Sequence, residues 1–83
     1  MKVDFTKAQA HGIMNMSPSI VGYFNYYASK YPTESGPKRE IITIPFKDGS
    51  RSLDHYFIKP LLAAGWTWAE SWLLKEIYLY RDK

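Results

Sequence analysis

Eighty-three residues with no cysteine have the size of one small domain, and they exclude a disulfide framework and any thiolate metal site, which leaves an apolar core as the internal staple. Aromatic residues make up 17% of the chain, more rings than a core of this size readily encloses. The net charge of +3 is a mild bias: it suits a nucleic acid or an acidic protein as partner but falls short of the concentrated basic footprint of a dedicated phosphate binder.

The opening MKVDFTKAQA carries an acid at Asp4 and no apolar signal stretch, and Glu70 breaks the longest apolar run near the other end. The expectation is a protein of the reducing cytoplasm with no membrane partner. Asn15-Met16-Ser17 fits the glycosylation pattern, but Pro18 follows it and it reads as a chance match. Thr6 with Gln9 three residues on forms a capping box, and Phe5 and Ala10 stand at staple positions. A short helix over 7–13 is predicted, weakened by Gly12, with the turn out between Gly12 and Met16.

SPSIVGYFNYYASKYP, residues 17–32, is the strongest helix signal. Ser17 is a good N-cap, Pro18 suits the first helical position, Met16 and Val21 stand at staple positions, and Pro32 forces the end. At 100° per residue, Ile20, Val21, Phe24, Tyr27, Ala28 and Tyr31 share one third of the circumference and form a core-facing stripe. Ser19, Gly22, Tyr23, Tyr26, Ser29 and Lys30 are left on the opposite side, so two tyrosines point outward.

TESGPK, residues 33–38, is a loop by composition. REIITIPFKDGSRSLDHYFIK then reads as a β-hairpin about Asp48-Gly49, with Ile42, Ile44 and Phe46 on one face opposed by Leu53, His55 and Phe57, and with Pro45 on an edge. The competing helix over 52–64 sets Pro60 in its interior at about 3 kcal/mol, so the hairpin is preferred. PLLAAG is a helical turn opened by Pro60 and closed by Gly65. Thr67 with Glu70 makes a second capping box, and Arg81 and Lys83 suit a helix C-terminus, which predicts a final helix over 68–81. Its wheel is apolar almost all round, from Trp68, Trp72, Leu73 and Leu74 to Ile77, Tyr78, Leu79 and Tyr80. Such a helix is sandwiched, meets a partner, or gives way to a strand over EIYLYRD. The fold class is therefore a single α+β domain over 1–83, with two N-terminal helices, a β-hairpin, and a C-terminal helix whose last segment is alternatively a strand.

Catalytic chemistry finds little footing. Asp54 and His55 are neighbours on an expected strand and point to opposite faces, so the acid cannot orient the imidazole towards Ser50 or Ser52. His11 and His55 lie far apart with no cysteine beside them, and no glycine-rich phosphate loop is present. Asp48, Asp54, Glu70 and Glu76 have turn, capping or solvated roles, and no pair stands out as acid and base. The expectation is a non-enzyme without metal or cofactor.

Two binding readings remain. AHGIMNMSPSIVGYF resembles a helix-turn-helix, and the hairpin after it resembles a wing. That resemblance implies DNA or RNA binding, with Lys38, Arg39, Lys47 and Arg51 along the wing on phosphates and Ser17, Ser19, Tyr23 and Tyr26 towards the groove. The reading helix, however, carries only Lys30 as a cation and no arginine, which is thin for guanine recognition. The preferred reading rests on the excess of rings, since tyrosine and tryptophan carry contact energy when left at a surface. Tyr23 and Tyr26 with Lys30 on the second helix, and Trp66, Trp68, Trp72, Tyr78 and Tyr80 in the last segment, are its anchors for a protein or nucleoprotein, a second copy of the chain included. Size, the lack of catalytic machinery and the lack of cysteine also match accessory proteins of phages and mobile elements, which occlude a host machine.

Overall fold

The computed structural model describes residues 4–48 and 54–83. Among them the chain is mixed helix and sheet: α1 (Thr6–Ala10), α2 (Pro18–Lys30), β1 (Glu34–Ser35), β2 (Arg39–Pro45), a 3-10 turn (Phe46–Asp48), a π-helical turn (Asp54–Ile58), α3 (Lys59–Ala63), β3 (Thr67–Ser71) and β4 (Glu76–Asp82). No helix among the described residues is long and apolar enough to cross a membrane.

α1 is capped differently from the expected Thr6–Gln9 box. The carboxylate of Asp4 accepts the Thr6 backbone N–H at 2.8 Å, satisfying an orphan donor of the first turn; hydrogen bonding from the Thr6 side chain and then from this N–H holds the Asp4 carboxyl below its ordinary pKa. α1 and α3 end in the same way. The Gly12 N–H donates to the Gln9 carbonyl and the Ile13 N–H to Ala8; the Gly65 N–H donates to Leu62 and the Trp66 N–H to Leu61. Each is a Schellman ending, which needs a left-handed residue just past the helix, and Gly12 and Gly65 stand there at φ +81° and +102°. The residue after each glycine, Ile13 and Trp66, is thereby turned into the core.

α2 starts at Pro18 and stops before Pro32 as expected, although Ser17 makes no side-chain cap bond. Val21, Phe24, Ala28 and Tyr31 are buried and Ile20 and Tyr27 half-buried, so the predicted stripe faces the core.

The rest of the arrangement differs from the sequence expectation. β2 pairs with β4 rather than with the segment carrying Phe57, in an antiparallel register running from Arg39↔Asp82 to Pro45↔Glu76. The predicted turn residue Gly49 and the opposing Leu53 lie outside the described residues. Phe57 is fully buried, but on the π-helical turn instead of a strand. The π turn also answers the objection raised by Pro60, which sits in the first turn of α3. Bonding to i−5 shifts the preceding carbonyls away from the proline ring, and a proline at a helix start lacks only a donor that would be unpaired anyway.

The helix expected over 68–81 is a β-hairpin, as the alternative for EIYLYRD allowed for β4. β3 pairs with β4 from Thr67↔Tyr80 to Ser71↔Glu76, giving a four-stranded antiparallel sheet in the order β1-β2-β4-β3. The all-round apolar wheel came from a strand with two occupied faces. Ile77 and Leu79 are buried with Ile42 and Ile44 against Phe24, Phe57, Leu61 and Trp66, while Tyr78 and Tyr80 alternate to the other side. There, Arg39, Ile41, Ala69, Tyr78 and Tyr80 line a shallow depression of about 300 Å³. Phe57 is the centre of the ring cluster, with Phe24, Tyr27 and Tyr31 at 5.3, 6.0 and 6.3 Å between centroids.

Candidate protein-docking surface

The side of α2 turned away from the core carries Tyr23 and Tyr26, 52% and 61% exposed. Both rings are held by neighbours. Tyr23 stacks on Tyr56 of the π turn at 4.5 Å and 22°, and Tyr26 meets Tyr27 edge to face at 5.1 Å. Rings already fixed lose little conformational entropy on binding, which concentrates contact energy in them.

Beside them lies Gly22. It stands inside a regular helix, and a Cβ built on it meets nothing within 4 Å. Glycine there disfavours the helix by about 1 kcal/mol relative to alanine and relieves no crowding. It lines, with Ser19, Tyr23, Tyr26 and Tyr27, an open depression of about 500 Å³, at whose floor the helix backbone carries no side chain. Lys30 closes the C-terminal end of the same helix, its ammonium 5.5 Å from the Tyr31 ring centroid. A glycine in the middle of the strongest helix was the sequence signal for this depression.

The other expected anchors scatter. Trp66 is buried, its indole N–H donating to the His11 carbonyl at 2.9 Å, so it is a core side chain that faces no partner. Trp68 is half-buried and donates to the Glu70 carboxylate at 3.0 Å. Tyr78 lies on the outer face of the sheet, where its hydroxyl donates to Glu76 at 2.8 Å and that bond raises its pKa. Trp72 is 74% exposed in the turn between β3 and β4, edge-on to Phe46, and the next two residues, Leu73 and Leu74, are 92% and 63% exposed. Sequence reading missed those leucines because it placed them inside a helix.

The described residues assigned to nucleic acid belong to separate elements. Ser17 and Ser19 are exposed at the start of α2 with their hydroxyls 3.3 Å apart. Lys38 precedes β2 and Arg39 opens it. Arg39 is engaged by Asp82 at 3.2 Å and by the Tyr80 ring at 4.4 Å. Lys47 is exposed in the 3-10 turn, and Arg51 lies outside the described residues. With β2 paired to β4, the expected wing over 39–59 is not formed.

Of the residues weighed for catalysis, His11 is described in full. His11 donates from Nδ1 to the Lys7 carbonyl at 2.6 Å, and its Nε2 shares a hydrogen bond with the Thr33 hydroxyl at 2.8 Å, so both ring nitrogens are occupied by structural bonds. The side chains of Asp54 and His55, with Ser50 and Ser52, lie outside the description. Among the described residues no three His, Cys, Asp or Glu side chains converge as metal ligands. Comparison with family models, with curated proteins and with solved structures found no match.

Proposed function

We propose that the chain is a small non-enzymatic binding protein of inhibitor type, which lays the outward face of α2 on a partner protein and acts by occupying that partner's surface. The observation that carries this reading is the exposed face of α2: two pre-positioned tyrosines stand beside Gly22, a helix-weakening residue that relieves no crowding in the fold, and together they line an open depression. A protruding side chain or a small-residue ridge of the partner enters the depression, Tyr23 and Tyr26 flank it, and Lys30 supplies a charge at the rim. An action by steric occlusion of a larger machine, as in phage or mobile-element accessory proteins, needs nothing more than such a surface.

The test is affinity capture from a lysate of the native cell, treated with nuclease, using the natural chain and its Gly22→Leu and Tyr26→Ala variants. A partner protein retained after nuclease by the natural chain and lost by both folded variants is the expected result. Capture that vanishes with nuclease, together with oligonucleotide binding that falls steeply with salt, replaces this reading with nucleic-acid binding.

A further inference from the structure

The two edges of the sheet are unlike. β1 is two residues long and is followed at once by Gly36, Pro37 and Lys38, the short, proline- and lysine-bearing kind of edge that discourages pairing. β3 is five residues long, pairs among the described residues with β4 alone, and keeps an unbroken register with it. It contains no proline, no lysine and no bulge, so its outer row of N–H and C=O groups is a template for another strand.

We propose that this template takes the same strand of a second copy, antiparallel and centred on Ala69. A two-fold axis between identical antiparallel strands sets residues opposite each other whose numbers have a constant sum. Bonded pairs form only where that sum is even, because only alternate residues point outward. Centring on Glu70 opposes two carboxylates directly, which disfavours it. Centring on Ala69 opposes Ala69 to Ala69, Thr67 to Ser71, and Trp68 to Glu70. The small side chains share the outer face and allow close approach. On the inner face each Glu70 meets an indole N–H, the same group it already accepts within one chain at 3.0 Å. Strand pairing then continues both sheets into one of eight strands with all helices on one side.

The same register covers the most exposed apolar residues. The antiparallel pairing brings the end of β3 that leads into Trp72 and Leu73 towards the start of the other copy's β3, which follows the end of α3, where Leu62 is 42% exposed. The turn that is bare in one copy thus becomes part of a contact larger than five strand pairs alone provide.

The chain has no cysteine, so single cysteines report the register. Opposed residues in an antiparallel pair stand within disulfide reach, whereas two copies of residue 67 are about 13 Å apart along the strand. With oxidised glutathione, Ala69→Cys is expected to cross-link to a covalent dimer, Thr67→Cys alone to stay monomeric, and a mixture of Thr67→Cys with Ser71→Cys to cross-link. Sedimentation of the natural chain should show a dimer at high concentration. A monomer at millimolar concentration overturns the proposal, as does Ala69→Cys cross-linking no faster than Thr67→Cys; the mixed pair decides if Ala69→Cys fails to fold. Gly22→Leu should leave the cross-link unchanged, which separates this interface from the α2 surface.

Discussion

Arg81 lies across the face of Trp66, its guanidinium carbon 4.8 Å from the ring centroid. From there it pairs with Glu40 on the neighbouring strand and donates to the carbonyl of Ala10 at 2.6 Å. One side chain thus ties the sheet to the C-terminal end of α1, where carbonyls lack partners and a cation is favoured. Arg81→Ala strands a carboxylate that is three-quarters buried and should lower unfolding free energy by about 2–3 kcal/mol in urea titrations. Arg81→Lys should recover less than half of that, because an ammonium cannot stack flat on the ring while bonding in two directions.

Gly22→Ala should stabilise the monomer by about 0.5–1 kcal/mol, since it adds helix propensity at a site with free space. Thermal melts check this. A loss of stability would show that the depression serves the fold, and would remove the reason for assigning it to a partner.

Lys75 occupies the left-handed region at φ 55°, at the end of a turn in which Ser71 Oγ accepts the Leu74 N–H and the Lys75 carbonyl accepts the Phe46 N–H. A β-carbon there costs about 1 kcal/mol. Lys75→Gly should therefore raise the melting temperature, and Lys75→Val should lower it further than any exposed neutral substitution.

The strand and turn over 67–82 show why part of this fold was hidden in the sequence. The turn residues Trp72, Leu73, Leu74 and Lys75 include no glycine, proline or asparagine, so nothing local announced a reversal and the apolar run continued as a helix. Asp48-Gly49 gave the opposite error, a strong turn signal that drew β2 towards the wrong partner. α2, by contrast, was legible because its stop and start are covalent: Pro18 and Pro32 restrict backbone angles whatever the tertiary context. The outward placement of Tyr23 and Tyr26 followed from the same wheel. The burial of Trp66 did not, because it depends on a glycine-ended helix bringing the indole against residues 55 positions away.

Phe57 touches three other rings and is fully buried. Phe57→Ala should cost about 3–5 kcal/mol, which rivals the roughly 5 kcal/mol total of a small domain. The variant should be largely unfolded by circular dichroism at room temperature, while Phe57→Leu should remain folded with a lowered midpoint.

Tyr78 is held protonated by its bond to Glu76, which raises its pKa above the ordinary 10.0. A raised value in the folded state means that the contribution to stability is complete below the unfolded pKa and is lost as pH climbs through the folded one. NMR titration of the Tyr78 ring should show late ionisation, and Glu76→Gln should bring it back towards the ordinary value.

The bond from Trp66 to the carbonyl of His11, with the two rings stacked at 5.6 Å, joins the beginning of the chain to its last third. Such a closure cannot form until the intervening segment has been gathered, so it belongs to the late stage of folding rather than to a nucleus. Indole fluorescence should accordingly lag behind the far-ultraviolet signal in refolding. Opening that clasp would expose the Trp66 indole, which is buried in the native molecule.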